Sequence, residues 1–138
     1  MLDDMEGSPV PARALISKEL SELLGVLAHP HRLRIIIELR EQELDVNSLQ
    51  LILGISHSSV SQNLALLRAH RVVQERREGR RVIYSLSDHN MGNWLLDGLQ
   101  FLVGHLAQNE KMRGAVVEVR NLWHVEEHGE SETAKSEE

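Results

Sequence analysis

The sequence predicts a mainly α-helical domain that carries one small β-hairpin. Three observations predict it. Apolar residues recur at three- and four-residue steps through most of the chain. Two short helical segments are separated only by Gly54, Ile55 and Ser56. Soon after them, β-formers flank the turn Arg77-Glu78-Gly79-Arg80.

Residues 1–14 contain acids, Gly7, Pro9 and Pro11 and read as a flexible arm. From Leu15, the residues Leu15, Ile16, Leu20, Leu23, Leu24 and Leu27 form a helical stripe. Pro30 suits the first turn of a second helix, where its missing N–H would be unpaired anyway. His29 is the expected cap and His31 a surface residue. That helix turns Leu33, Ile36, Ile37 and Leu39 inward and Arg32, Arg34 and Arg40 outward.

Asn47 followed by Gln50 resembles a capping box and predicts the start of a third helix. This helix buries Leu49, Ile52 and Leu53 and stops at Gly54. Ser56 then caps a fourth helix with Val60, Leu64 and Leu67 inward. Two short helices joined by a tight turn led by glycine form a helix-turn-helix. At 100° per residue, Gln62 lies almost opposite the apolar stripe. Ser58, Ser61 and Ala65 share that outer half, with Ser59 on its flank. Small hydrogen-bonding residues at the front of an exposed helix suit base edges in a major groove. An ordinary solvated helix face has the same composition.

Val72, Val73, Val82, Ile83 and Tyr84 predict the hairpin, with Gly79 supplying a positive φ. Its arginines make it a candidate wing that holds phosphate. The alternative is a charged, solubilising edge. Glu78 would repel phosphate if it faced DNA.

Ser87 or Asp88 starts a long helix with the stripe Trp94, Leu95, Leu99, Leu102 and Leu106, widened by Leu96, Phe101 and Val103. This stripe is broader than one small domain covers. Gly98 and Gly104 suit close approach of another backbone. A symmetric dimer through the first and last helices, using Leu15, Leu20, Trp94, Leu95, Leu99, Leu102 and Leu106, would bury the surplus. The main domain is thus residues 15–109. Residues 110–123, with Ala115, Val116, Val119, Leu122 and Trp123, read as a helical extension. Residues 124–138 read as an acidic disordered tail.

Composition sets limits. The 138 residues carry a formal net charge of −6 and no cysteine. Disulfides, thiolate zinc sites and iron–sulfur clusters are excluded. No apolar run approaches the roughly 18 residues of a membrane span, and the acidic start is not a signal peptide. A cytoplasmic protein with no membrane partner is expected. The net charge alone argues against nucleic acid. Residues 57–86, however, hold Arg68, Arg71, Arg76, Arg77, Arg80 and Arg81 against Glu75 and Glu78, a local excess of +4. Residues 124–138 carry six glutamates against Lys135, a local −5.

Three strings now carry a resemblance. Leu27-Ala28-His29-Pro30-His31-Arg32-Leu33-Arg34-Ile35-Ile36 resembles the second-helix signature of the ArsR/SmtB family. Leu53 through Arg68 resembles its recognition-helix region, and Val72-Val73 with Arg77 through Leu86 resembles its wing. The resemblance covers about residues 15–108. It implies a homodimeric winged helix-turn-helix repressor on a palindromic double-stranded DNA operator, released by a metal ion or another inducer in many members. Base reading then falls to Ser58, Ser59, Ser61 and Gln62. Backbone contacts fall to His57, Asn63, Arg68, Arg76, Arg77, Arg80 and Arg81. Asn63 stands where the family often has histidine. Protonation of His57 or His70 would strengthen DNA binding at lower pH.

The family's metal sites look lost. In the string matching its thiolate site, Glu43-Leu44-Asp45-Val46-Asn47-Ser48-Leu49, Asp45 and Asn47 stand at the cysteine positions. At the last-helix site only His105 survives. Trp94, Gly92 and Gln108 occupy the other places. No cofactor is expected, and the inducer is not legible. The alternatives are a nickel-, cobalt- or zinc-responsive repressor using His105, His124 or His128, and a winged-helix module that binds a protein partner. His124-Val125-Glu126-Glu127-His128 matches a peptidase string, but the ten residues after it supply no third ligand. No nucleophile–base pair or phosphate loop is visible, so an enzyme is not expected.

Overall fold

The computed structural model describes residues 11–123. Helix α1 spans Ala12–Leu27, α2 Pro30–Glu41, β1 Leu44–Asp45, α3 Val46–Leu53 and α4 His57–Ala69. Strand β2 spans Val73–Glu78, β3 Arg81–Leu86, α5 Asn90–Leu106 and α6 Arg113–Trp123. The three strands form an antiparallel sheet in the order β1-β3-β2.

The helix ends follow local chemistry. His29 caps α2 as expected, its Nδ1 accepting from His31 N–H, and Pro30 occupies the first turn. Gly54 ends α3 in the left-handed region at φ 67°. Ser56 caps α4 by accepting from Ser59 N–H. Helix α4 closes with paired bonds, Val72 N–H to Leu67 O and Arg71 N–H to Arg68 O. This closure puts Arg71 at φ 59°, a place glycine usually fills.

Four expectations need correction. Asp45, not Asn47, caps α3, because Asp45 Oδ1 accepts from Ser48 N–H at 2.8 Å while Asn47 is already helical. Helix α5 begins at Asn90, two residues after Asp88, whose carboxylate accepts from Asn90 N–H. Ile52, read as buried, is exposed at the α3 surface. Helix α1 begins at Ala12, three residues earlier than its leucine stripe.

The core joins α2, α3 and α4 to the sheet. Ile35, Ile36, Leu39, Leu49, Leu64, Leu67 and Leu86 are its largest buried members, with Val60 and Val73 between them. A second, smaller cluster holds Ile37 and Leu96, with Leu99 and Trp123 packed against it. Through it α6 folds back onto α5 and α2.

The arginines of α2 do not simply face water. Arg34 donates to the carbonyls of Ile52 and Leu53 and so satisfies the open end of α3. Arg40 donates to Asn93 Oδ1 at 2.8 Å. Gly92 packs under its stem so closely that a Cβ there would sit 2.7 Å from Arg40 Cβ. Arg32 donates to Val26 O at the end of α1 and to Asn63 Oδ1 on α4.

Candidate nucleic-acid interface

Helices α3 and α4 and the β2–β3 hairpin bring together most of the residues read from the sequence as a nucleic-acid face. Val60, Leu64 and Leu67 anchor α4 in the core, and the opposite side faces solvent. Gln62, Ser58 and His57 are exposed, while Ser59, Ser61 and Asn63 are half-buried. Asn63 is engaged within the protein: its Nδ2 donates to Ser59 O at 2.8 Å and its Oδ1 accepts from Arg32. The outward amide of α4 is therefore Gln62.

The arginines separate into two groups. Arg76 pairs with Glu43 and, at 3.1 Å, with Glu78. Arg81 donates from both Nε and Nη2 to Asp45 Oδ2, at 3.0 and 2.8 Å. Arg68 pairs with Glu75 at 2.9 Å. Arg77 and Arg80 have no acidic partner among the described residues. They flank Gly79, which takes φ 64° at the hairpin tip as the sequence predicts. Glu78, read as a repulsive charge, is neutralised by Arg76.

Two pKa shifts follow from this geometry. The hydroxyl and backbone N–H of Ser48, and then the Arg81 hydrogen bonds, hold the Asp45 carboxyl down to about 2. Burial first, then the hydrogen bond and charge of Glu75, push the Tyr84 phenol above its usual range.

Sequence reading missed strand β1 and the acids around it. Leu44 pairs with Tyr84 and Asp45 with Ile83, so Glu43 and Asp45 come beside the hairpin. A two-residue strand has no period to detect.

The residues read as a dimer face are unevenly placed. Leu15, Leu20, Trp94 and Leu102 are about half exposed. Leu95 packs on the main core, Leu99 on the Ile37–Leu96 cluster, and Leu106 is half-buried. Ile16, Leu24 and Phe101 extend the uncovered apolar surface. An open groove of about 800 Å³ runs along α2 and α5, lined by Leu33, Ile37, Trp94, Gly98, Phe101 and Leu102 among others. A second of about 420 Å³ lies between α1 and the start of α5. Gly98 and Gly104 have open space where a Cβ would stand.

His105 is exposed on α5. Among the described residues no three histidines or carboxylates come together as a metal set. His124, His128, the tail and the first ten residues of the arm lie outside the described residues. No described helix is long and apolar enough to cross a membrane.

A helix-turn-helix whose second helix leads into a small antiparallel sheet with a basic tip defines a winged helix-turn-helix protein. Comparison with known proteins narrows the class. Residues 29–75 match the model described as "Bacterial regulatory protein, arsR family". The chain is 42% identical over 77 residues to the transcriptional repressor SmtB homolog of a Synechocystis species, a match covering 56% of this chain and 58% of that protein. It is 38% identical over 91 residues to the HTH-type transcriptional repressor SmtB of Mycobacterium tuberculosis, covering 66% and 67%. The crystal structure of M. tuberculosis Rv0081 superposes with a TM-score of 0.62 at 32% identity, covering 72% of this chain and 97% of that one. The chain belongs to the arsR family of bacterial regulatory proteins. The family and the relatives matched are transcriptional regulators.

Proposed function

We propose that this chain is a homodimeric transcriptional repressor that binds a palindromic DNA operator. Helix α4 enters the major groove and Gln62, with Ser58, Ser59 and Ser61, reads base edges. Arg77 and Arg80 hold phosphate at the wing. The carrying observation is the division within this face. Gln62, Arg77 and Arg80 point to solvent without an acidic partner among the described residues, while Asn63, Arg68, Arg76 and Arg81 are engaged within the protein. The relatives named as repressors support the direction of regulation.

Self-association is supported by the apolar faces of α1 and α5. Two copies of Leu15, Leu20, Trp94, Phe101 and Leu102, covered against each other, remove surface that one chain leaves in water. A two-fold dimer presents two α4 helices to two half-sites about one helical turn apart.

Selection from a pool of random duplexes, combined with sedimentation of the protein alone, tests the reading. The expected result is a two-fold-symmetric sequence bound by a dimer. Uniform binding to all duplexes, or selection by a monomer of a single half-site, contradicts it. Among the described residues no group of three or more histidines and carboxylates could hold a metal ion, and His124 and His128 lie outside them.

A further inference from the structure

Of the four arginines on the hairpin, Arg77 and Arg80 have no acidic partner among the described residues. The other two are held by Glu43, next to β1, and by Asp45, its last residue. Asp45 sits where three elements meet. Its Oδ1 caps α3 through Ser48 N–H, and its Oδ2 receives both Nε and Nη2 of Arg81, the first residue of β3. The side chain of Asp45 is only 15% exposed, whereas Arg81 lies largely in solvent. The cross-strand register places Asp45, Ile83 and Arg76 in one row across the sheet. Ile83 is 6% exposed although it lies outside the main core cluster. On the same side, Arg76 pairs with Glu43, two residues before Asp45.

We propose that Asp45 is a positioning residue for DNA binding, fixing the wing against the helix-turn-helix through Arg81 while capping α3. This inference rests on the DNA-binding reading above. It removes Arg81 from the phosphate contacts and makes it the strut of the wing. Isolated surface ion pairs contribute little. This one differs because its acid is mostly covered and its arginine donates twice, so it restricts geometry as well as adding attraction. Arg76 on β2 also pairs with Glu43 from that edge of the sheet, with both side chains about half exposed. The tip that carries Arg77 and Arg80 is thereby held by acids on the chain segment that begins α3.

The test separates the cap from the strut. Asparagine is as good a helix cap as aspartate, so Asp45→Asn keeps α3 but loses the charge that holds Arg81. Operator affinity is measured across a salt series for the full chain, Asp45→Asn, Arg81→Gln, the double variant and Arg80→Gln. Each single change at the strut is expected to weaken binding about three- to tenfold, and the double variant by no more than either single change. The salt slope stays at its original value in all three strut variants. Arg80→Gln lowers it by about one. Additive losses, or a slope lowered by about one in Arg81→Gln, overturn the proposal and return Arg81 to the phosphate contacts.

Hydrogen exchange of the free protein tests the fixing directly. The expected result is lost protection at wing amides 76–82 in Asp45→Asn, with α3 amides unchanged. Unchanged wing amides overturn the strut whatever happens on DNA. If the full chain binds no duplex selectively yet the wing loosens in Asp45→Asn, the DNA reading fails while Asp45 still holds the wing. In that outcome its role in DNA binding falls as well.

Discussion

The helix-turn-helix with its wing, and the pair of helices α1 and α5, are built on opposite terms. In the first region helix ends are closed by neighbouring residues: His29 and Ser56 at starts, Gly54 at a stop, Asp45 before α3. Most of its apolar residues are buried, with Leu51, Ile52 and Leu66 left exposed, and its polar surface is sorted into engaged and unengaged groups. The second region leaves Ile16, Leu24, Trp94, Phe101 and Leu102 substantially in water. A reading head completed by one chain sits beside a surface that one chain leaves open. On the proposed dimer, folding and assembly are separable, and each substitution below tests which region governs a property.

The largest effect is expected at Leu64, fully buried on α4. Leu64→Ala should cost about 2–5 kcal/mol, read from urea unfolding. A loss below about 1 kcal/mol would show that the helix-turn-helix is not self-contained. Ser56→Ala comes next, at about 1 kcal/mol, because the hydroxyl that accepts from Ser59 N–H is removed.

Acid titration gives a further contrast. The folded Asp45 carboxyl is held at about 2 against an ordinary 3.8. Its stabilisation is therefore complete above about pH 4 and is lost as pH falls toward 2. The urea midpoint of Asp45→Asn should lack this component of the decline. An identical decline in both proteins would mean that Asp45 is not held in the folded state.

The smallest effect on the isolated chain is expected in the open region. Phe101 is 77% exposed, so Phe101→Ser should shift the stability of dilute protein by no more than about 0.5 kcal/mol. It should nevertheless weaken self-association, seen as a sedimentation profile moved toward monomer. A large loss of stability at high dilution would erase the distinction between the two regions.

What the sequence disclosed divides along the same line. The Ser56 cap, the Gly54 stop, the positive φ of Gly79 and the Val60–Leu64–Leu67 stripe rest on chemistry within a few residues, and all four are in the fold. The family model matches residues 29–75, the segment where that local chemistry is densest. The cap at Asp45 was hidden because Asn47 and Gln50 offered an equally good local pattern. Strand β1 was hidden because its partner lies about 40 residues away. The Arg76–Glu43 and Arg81–Asp45 pairs join residues more than 30 positions apart, and no local spacing encodes them. Counting arginines gave a basic wing, and only the register showed that two of them are already occupied.

Gln62 and Arg80 together test the central claim most directly. Affinity for the selected operator and for an unrelated duplex is measured against salt for the full chain, Gln62→Ala and Arg80→Ala. The account predicts that Gln62→Ala loses about 1–3 kcal/mol of discrimination at one base position with its salt slope unchanged. Arg80→Ala should weaken both duplexes alike and lower the slope by about one. Equal losses on both duplexes for both variants, with the same change in slope, would contradict the division between base reading on α4 and phosphate holding at the wing.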